Sequence, residues 1–539
     1  MSRVSLTAVA SMRERQFVPA ALAVCAFGLL CLHFRPFAAD DAWIVARYAH
    51  NAATHGALVY NPGEPVSALT SPLHGLIAAG FALLGLDPVA TWRLAGPLLA
   101  LGGILILAAR LDGMARAIFV AVAATSPFLA LWSVGGLETP MLAGLIAAAA
   151  ALAHDLDRGR SSRKAGLVLF LCGLIVLTRH DAVLFAAPLG LAVLWRYRAA
   201  PCAWAGALAG GGLLGAWLLH AQLAYGTPLP SSFYAKAGLA SGGALFANLA
   251  YIAGFGVLAF GPVLLRGARI AAAPGSFRRM LLLGLLCLAP YLATMASVHM
   301  MFGYRALVPY LPVAAALLAP GIAAAGAGLR TAMAAAGANV LLTLVMSVHT
   351  LNPTVFHLLL RDDGNTSALE AAFAGEYPFV SLRDYAGFLA VLRDQSDAIA
   401  TDWAADPRAA TRPPRVLTIA GGVTAARLPE AHVMELLVSY RTGCMSAFTD
   451  IGALWRSADY IQTYRWRSGP LFPPMRPEDG DAVLALPVLS DADMDFEQEL
   501  QPGAFARADR LTVFRNPSAV PAPEALKAGV TAPCTYEPG

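Results

Sequence analysis

The chain has 539 residues, of which 58% are hydrophobic and only 13% are charged, and its mean hydropathy is +0.60. These values exclude an ordinary soluble domain and indicate a polytopic membrane protein. The formal net charge of +4 is small, and no basic tract indicates a nucleic-acid partner.

Eleven apolar segments are predicted to span the membrane. Their approximate bounds are 17–35, 89–109, 115–133, 137–154, 165–178, 182–196, 202–224, 243–265, 281–298, 306–325 and 332–350. Arg3, Arg13 and Arg15 precede the first segment and would suit a signal peptide, but no small-residue cleavage site followed by a soluble domain is present. We therefore expect the first segment to be retained as a helix.

The charges of the connectors predict how these segments are oriented. Basic residues concentrate in the N-terminus and in connectors such as 110–116, 155–164 and 266–279. All basic connectors lie on the cytoplasmic side, as the positive-inside rule requires, if residues 71–86 do not cross the bilayer completely. We therefore predict a re-entrant or juxtamembrane helix there, in a multi-pass membrane protein with a cytoplasmic N-terminus.

The composition changes at about residue 352, where charges and prolines become frequent and apolar runs become too short to span a bilayer. We predict a transmembrane domain over 1–351 and a soluble, extracytoplasmic (periplasmic) α/β domain over 352–539. Cys444 and Cys534 lie in this second domain, and an oxidising compartment would allow them to form a disulfide.

Local patterns predict the elements of the second domain. Residues 416–422 form an apolar run that ends at Gly421-Gly422, which indicates a buried strand followed by a turn. Helices are expected at 382–393 and 430–440, and further strands are expected at 483–488 and 511–514. Gly421-Gly422 lacks the spacing of a nucleotide-binding fingerprint.

The first outer loop, residues 36–71, carries the strongest chemical signal. Asp40 and Asp41 lie side by side where the chain leaves the first span, before an amphipathic stretch. Adjacent carboxylates at a membrane surface repel each other, so a metal, a substrate hydroxyl or a buried arginine is expected nearby. A solvated interfacial loop is the alternative interpretation.

Other polar residues gather at the outer ends of the predicted spans. The candidates are His74, Glu138, Arg179, His180, Asp181, Tyr234, Lys236, Tyr304 and Arg305. Simpler roles compete: Glu138 could complement a helix dipole, Arg179 and Asp181 could form a structural pair, and Lys236 could extend to lipid phosphate. A positive charge at the start of a helix is unfavourable, which indicates that Arg305 serves an anion.

Taken in order, several short motifs resemble the GT-C superfamily of membrane glycosyltransferases. Within it, the chain is most similar to the AftB-type arabinofuranosyltransferases and the related TfpW-type pilin arabinosyltransferases. The motifs that carry the resemblance are Asp40-Asp41-Ala42-Trp43, Tyr60-Asn61-Pro62-Gly63-Glu64, Thr70-Ser71-Pro72-Leu73, Gly136-Leu137-Glu138-Thr139-Pro140, Leu177-Thr178-Arg179, Tyr225-Gly226-Thr227-Pro228 with Phe233-Tyr234-Ala235-Lys236, and Tyr304-Arg305. His180-Asp181 departs from the usual Pro-Asp or Pro-Glu, and Ser231-Ser232 departs from the usual Asn-Thr.

The resemblance implies transfer of a sugar, with arabinofuranose the best guess, from a polyprenyl-phosphate donor to a glycan or protein acceptor. A cell-wall polysaccharide or a pilin would fit as acceptor, and membrane lipid surrounds the site. Asp40 and Asp41 would lie at the reaction centre, one as general base or charge stabiliser and the other orienting it. Arg179, Lys236 and Arg305 would bind the phosphate. A divalent cation is compatible with the superfamily, but we assign no metal ligands.

Two other functions remain open on sequence grounds. A flippase or transporter for lipid-linked sugars would explain the helices and the charged residues, but it gives no role to a large one-sided outer domain, and no inverted repeat is visible. An oligosaccharide ligase or polymerase would share the sidedness and differ mainly in the size of its cavity.

Overall fold

The computed structural model describes residues 21–235, 242–265, 275–295, 302–348, 382–418, 420–435 and 457–462, with short pieces at 464–465, 471–472, 484–486 and 513–515. Helices dominate the part before residue 349. Their bounds are Ala21–His33 (α1), Asp40–His55 (α2), Pro72–Leu83 (α3), Pro88–Ala108 (α4), Gly113–Ala123 (α5), Pro127–Val134 (α6), Thr139–Arg158 (α7), Ser162–Thr178 (α8), Val183–Arg196 (α9), Pro201–Tyr225 (α10), Ser231–Ala235 (α11), Gly242–Leu264 (α12), Ser276–Thr294 (α13), Leu311–Ala324 (α14) and Leu329–Val348 (α15).

A helix lies at each of the eleven predicted spans. Among the described residues, six helices are long and apolar enough to cross a membrane, namely α4, α7, α10, α12, α13 and α15. The bent pair α5 and α6, which meet at 53°, would make a seventh. The remaining apolar helices are shorter, and the 12-residue helix α3 occupies the predicted re-entrant or juxtamembrane segment. The structure thus supports a polytopic helical protein, whereas the count of eleven crossings stays a prediction.

Helix α2 forms most of the first outer loop. It begins with two carboxylates, which suit the positive end of a helix dipole. It ends at Gly56, whose φ of 69° is the left-handed conformation that glycine adopts readily. Val45 and Tyr48 of α2 are buried, whereas Asp41 and His50 are exposed.

The described part of the C-terminal region is mixed α/β. Its elements are Leu382–Ala404 (α16), Arg415–Leu417 (β1), Gly421–Arg427 (α17), His432–Met434 (β2), Tyr460–Gln462 (β3), Tyr464–Arg465 (β4), Leu471–Phe472 (β5), Leu484–Leu486 (β6) and Val513–Arg515 (β7). Five strands form one sheet in the order β2-β1-β3-β7-β6, and β4 pairs with β5. Strands β2, β1 and β3 run parallel, whereas β7 is antiparallel to β3 and to β6.

Two local predictions for this region are wrong. A helix was expected over 430–440, but in the described part, 430–435, strand β2 pairs in parallel with β1, so the sheet decides the conformation there. The predicted strand at 416–422 ends at Leu417, and Gly421-Gly422 begins helix α17. Cys444 and Cys534 lie outside the described residues.

Loop 1 is the first outer loop, residues 36–71. It shares one apolar core with the C-terminal region. Tyr48 and Tyr60 of the loop pack in the same cluster as Val416, Val433 and Tyr460 of the sheet. The Asn61 side chain adds hydrogen bonds to the backbone of the sheet. Asn61 donates to the carbonyl of Val433 (2.9 Å) and accepts from its amide (3.2 Å), as a neighbouring strand would. The sheet therefore fixes the position of the loop that carries the two aspartates.

Candidate active site

Arg305 lies at the centre of a cluster of charges between α2, α7 and the segment before α14. Its Nη1 donates to Oδ2 of Asp41 (2.7 Å), and its Nη2 lies 3.4 Å from both carboxylate oxygens of Glu138. The guanidinium also lies over the ring of Trp132, with 5.4 Å to the ring centroid. Its Nε is buried and has no hydrogen-bond partner among the described residues. One N–H of this arginine is therefore unsatisfied among the described residues.

The backbone before Arg305 is held in an uncommon conformation. Gly303 and Tyr304 have φ values of 59° and 56°, and a positive φ is unusual for tyrosine. The Tyr304 ring is buried against Phe128 and Tyr251, so packing compensates for this conformation. Tyr304 acts as an anchor for the turn that presents Arg305.

Glu138 connects this arginine to a second one. The glutamate is only 1% exposed, and its Oε1 accepts from Nη1 of Arg179 at 3.1 Å. Burial alone would raise the pKa of the Glu138 carboxyl, but Arg305 and Arg179 outweigh it and bring the pKa to about 2. Glu138 therefore stays ionised and holds two guanidinium groups beside each other.

Arg179 lies where α8 ends, with an extended backbone before a short 3-10 turn at His180–Ala182. Its Nε and Nη2 donate to the two carboxylate oxygens of Asp181 at 3.0 and 2.9 Å, a bidentate pair. The charged groups thus alternate in sign along the chain of contacts Asp181, Arg179, Glu138, Arg305 and Asp41. Three carboxylates and two guanidinium groups leave one excess negative charge.

Two histidines border this charged cluster. His74 of α3 is 2% exposed and packs against Trp92, with ring centroids 4.3 Å apart, and its Nδ1 is buried without a hydrogen-bond partner among the described residues. His180 has an equally unpartnered Nε2. Each ring therefore has a buried nitrogen without a hydrogen-bond partner among the described residues.

Asp40 is directed away from the cluster, into the contact with the C-terminal region. Its carboxylate accepts from the amides of Gly422 (3.0 Å) and Val423 (2.8 Å), and its own amide donates to the Tyr385 hydroxyl (2.7 Å). A Cβ on Gly422 would collide with the backbone carbonyl of Asp40, so only glycine allows this approach. Burial raises the pKa of Asp40 to about 6, against the effect of the two amide donors.

The structure therefore brings most of the candidate residues together. Asp41, Glu138, Arg179, Asp181 and Arg305 form one connected set of ion pairs. His74, His180 and Tyr304 adjoin it, and Asp40 faces the other way. The Tyr234 side chain and all of Lys236 lie outside the described residues.

The carboxylates of the cluster pair with arginines rather than with each other. Within the described ranges, no group of three His, Cys, Asp or Glu side chains is placed to hold a metal ion. A divalent cation beside Asp41 would also meet the guanidinium of Arg305. This donor set does not fit a metal, and the mechanism below uses none.

Four residues that contact Arg305 or Asp40 were not identified from the sequence. Trp132 supports Arg305, while Tyr385, Gly422 and Val423 engage Asp40. The partners of Asp40 lie 345 to 383 positions away along the chain, and no local pattern links them to loop 1. The Gly421-Gly422 pair was the one visible sign that a close backbone approach occurs at this point.

No protein-family model matches the sequence, and no curated protein matches it significantly. A solved structure does match, the crystal structure of ArnT from Cupriavidus metallidurans bound to undecaprenyl phosphate. The match covers 94% of this chain and 99% of the ArnT chain, with a TM-score of 0.53 and 16% sequence identity. The chain shares the fold of ArnT.

The similarity to ArnT agrees with the polytopic helical architecture that the sequence predicted. It extends over nearly the whole of both chains, so the fold agrees in architecture and not only in a few helices. At 16% identity the comparison with ArnT concerns the fold, and the AftB-type or TfpW-type subgroup is a separate proposal.

Proposed function

We propose that this protein is a membrane glycosyltransferase that moves a sugar from a polyprenyl-phosphate donor to a hydroxyl group of an acceptor. The observation that carries the proposal is the position of Arg305, which bridges an exposed carboxylate, Asp41, and a buried one, Glu138. The ArnT fold supports the same chemistry, since the ArnT structure holds undecaprenyl phosphate.

The arginines suit the leaving group of such a reaction. A polyprenyl phosphate departs as a weakly basic anion, so it needs cationic stabilisation rather than a strong general acid. Arg305 supplies positive charge beside the exposed Asp41, and Arg179 lies behind it across Glu138. Glu138 positions both groups and does not itself meet the substrate. Lys236 is a further candidate for the lipid phosphate.

Asp41 is the proposed general base. Its side chain is 55% exposed, whereas the Glu138 side chain is only 2% exposed, so of these two carboxylates only Asp41 is accessible to an acceptor hydroxyl. As the acceptor oxygen forms a bond to the anomeric carbon, the bond from that carbon to the phosphate oxygen breaks. The acceptor proton passes to Asp41, and the electron pair of the broken bond leaves on the phosphate beside Arg305.

Asp40 has the complementary role in this proposal. It orients α2 by binding the first turn of α17, and it thereby holds Asp41 at the cluster. In this proposal Asp40 positions helix α2 and Asp41 takes part in the reaction. These separate roles account for two like charges in neighbouring positions.

The proposed sugar follows from the ordered set of motifs between Asp40 and Arg305. Their similarity to AftB-type and TfpW-type enzymes makes arabinofuranose the proposed sugar, with a glycan or a protein, such as a pilin, as acceptor. The proposed location is the bacterial inner membrane, with the cluster and the C-terminal domain on the periplasmic side and the N-terminus in the cytoplasm. About eleven crossings and a domain boundary near residue 352 belong to the same proposal.

The test is turnover of a synthetic donor by the purified protein in detergent. Radiolabelled polyprenyl-phosphate arabinofuranose should release its sugar to an acceptor or to water, and free polyprenyl phosphate should appear in equal amount. A panel of other lipid-phosphate sugars identifies the donor if arabinofuranose is inert. Inertness of every donor, combined with movement of lipid-linked sugar across proteoliposomes, would overturn the proposal in favour of transport.

A further inference from the structure

Two arginines meet where the end of α1 lies against the start of α4, outside the charged cluster. Arg35 follows α1 by two residues and is exposed, and Arg93 lies in the second turn of α4 and is half-buried. Nη2 of Arg93 donates to the backbone carbonyl of Arg35, so the two helices are joined at this point. The glycosyl transfer proposed above uses neither arginine.

The Arg93 side chain is held by backbone carbonyls and not by carboxylates. Its Nε donates to the carbonyl of Val134 (2.9 Å), and its Nη2 also donates to that of Phe37 (3.0 Å). Neutral carbonyls satisfy these N–H groups but leave the charge of the guanidinium in place. Nη1 is accessible at the surface and makes no hydrogen bond with the described residues. Arg93 is therefore fixed in position while one side of its fork faces outwards.

Carboxylates do not offset the charges of Arg35 and Arg93. Within the described ranges neither arginine forms an ion pair, and the charge that acts on Arg93 is the like charge of Arg35. The carboxylates nearest along the chain are engaged elsewhere, with the amides of α17 (Asp40), with the charged cluster (Asp41) and with the first turn of α4 (Asp87). Two like charges repel each other, so an anion between them is favoured.

The helix surfaces that lead to the two arginines are apolar. Leu29 and Leu32 of α1 are each 67% exposed, and Leu94 and Leu98 of α4 are 75% and 70% exposed. Because α1 ends where α4 begins, all four leucines lie on the membrane side of the arginines. Exposed leucines on spanning helices contact lipid chains, and arginines at the ends of such helices reach the level of the headgroups.

We propose that Arg35 and Arg93 bind the phosphate of an anionic membrane phospholipid, whose acyl chains lie against the exposed leucines of α1 and α4. A phosphodiester carries one negative charge, so the site keeps an excess of positive charge and disfavours an ammonium in the headgroup. Phosphatidylglycerol meets this requirement, and phosphatidylcholine does not. The lipid is a different one from the polyprenyl phosphate that we assign to Arg305, so this site goes beyond the glycosyl transfer.

The bound lipid would also steady the start of loop 1. Arg93 holds the carbonyls of Arg35 and Phe37, which directly precede the segment that carries Asp40. A phosphate that relieves the repulsion between the two arginines therefore stabilises the backbone that leads into α2.

Photo-crosslinking locates the lipid on the full-length protein, reconstituted without donor in phosphatidylcholine nanodiscs. The probes are phosphatidylglycerol and phosphatidylcholine, each with a photoactivatable group close to the glycerol, at equal concentration. Labelled peptides are identified by mass spectrometry. We expect the phosphatidylglycerol probe to label 29–37 and 93–98 at least 3-fold more than the phosphatidylcholine probe. Equal labelling of these peptides by the two probes would overturn the proposal.

Variants connect the labelling to the arginines. Arg35→Gln should lower phosphatidylglycerol labelling about 3- to 10-fold, as expected for loss of one exposed charge-assisted contact, and Arg35→Lys should restore part of it. Arg330→Gln is the matched control, because it removes another exposed arginine at the opposite end of α15. Ser347 of that helix bonds to His33 near the site at 2.8 Å, and Arg330 lies about 25 Å from Ser347 along the helix. The control should label as the wild type does.

Two further results would contradict the assignment. One is an Arg35→Gln variant, folded by thermal melt, whose peptides 29–37 and 93–98 are labelled as strongly as those of Arg330→Gln. The other is displacement of the phosphatidylglycerol probe by unlabelled polyprenyl phosphate at a tenth of its concentration, which would give the site to the carrier lipid. No sugar donor is present, so the outcome is independent of the turnover that tests the glycosyltransferase proposal.

Discussion

Asp40 and Asp41 are adjacent in the sequence, but their side chains lie in different environments. Asp40 is buried and accepts two amides of α17, while the Asp41 side chain is 55% exposed and pairs with Arg305 at 2.7 Å. A step of one residue turns the direction by about 100° on a helix, so Asp40 faces α17 and Asp41 faces the charged cluster. The first turn of α2 therefore couples the outer region to the proposed reaction centre.

The buried carboxylate should matter most for the integrity of the cluster. Glu138→Gln leaves two guanidinium groups without their shared counter-charge, and loss of one partner of a buried pair typically costs about 3–5 kcal/mol. We expect a clear fall in the melting temperature and loss of turnover, measured by thermal melt and donor assay. Glu64→Gln is the matched control, because Glu64 is 30% exposed and pairs with His432 at 3.4 Å. It should change stability by less than about 1 kcal/mol.

Arg305 should tolerate no replacement by lysine. An ammonium group cannot reach Asp41 and Glu138 together and still offer a third donor, because it lacks the planar fork of arginine. Arg305→Lys should keep the melting temperature within a few degrees but lower kcat about 100-fold or more, with donor saturation kinetics as the readout. A variant with wild-type kcat would show that the guanidinium does not contact the departing phosphate. Loss of one preorganised hydrogen-bond donor to the transition state typically lowers kcat by about this factor.

Gly422 should be irreplaceable at the contact between loop 1 and α17. An alanine there would collide with the carbonyl of Asp40, and forcing a methyl group into a tight contact costs about 1–3 kcal/mol. Gly422→Ala should raise hydrogen exchange in α17 and lower turnover. Gly102→Ala adds the same methyl group where no atom lies within 4 Å, so it should change neither. Equal exchange in the two variants would contradict the contact.

Acidification should tighten the same contact. Burial raises the pKa of Asp40 to about 6 from its ordinary 3.8, so its stabilising contribution is complete below 3.8 and is lost as the pH rises through about 6. The contribution of Glu138 to stability changes with pH in the opposite direction. It is present above pH 4.5 and is lost only as the pH falls towards 2. Between pH 7.5 and 5, therefore, only Asp40 of these two should titrate.

Hydrogen exchange of residues 421–427, corrected for the intrinsic rate, measures this effect. Protection should increase on going from pH 7.5 to 5, and Asp40→Asn should abolish the pH dependence. A decrease in protection on acidification in the wild type would show that the ionised carboxylate binds α17 more strongly than the neutral one.

The charged cluster could be predicted from the sequence because the membrane constrains where helix ends lie. Glu138 directly precedes α7 and Arg179 directly follows α8, and each interrupts an apolar run where a charge is costly. Polar residues at the ends of neighbouring helices on one face must lie near each other. The structure was needed to show that the charges alternate in sign. It was also needed to show that Arg305 lies between two carboxylates.

The relation between loop 1 and the C-terminal sheet could not be predicted in the same way. Its contacts join residues more than 340 positions apart, such as Asp40 with Tyr385, and they involve backbone groups that carry no sequence signal. Strand β2 illustrates the same limit, since its pairing with β1 overrides the helical pattern at 430–440. Gly421-Gly422 were visible as unusual residues, but the carboxylate that they accommodate was not.

The account depends most directly on the division of roles between Asp40 and Asp41. Release of radiolabelled arabinose from polyprenyl-phosphate arabinofuranose should be compared in the wild type, Asp41→Asn and Asp40→Asn, each checked by thermal melt. Asp41→Asn should keep its melting temperature and lose about 100-fold or more in kcat, as expected for loss of a general base. Asp40→Asn should retain more turnover than Asp41→Asn. A folded Asp41→Asn with wild-type kcat would contradict the account, because the exposed carboxylate would then take no part in the chemistry.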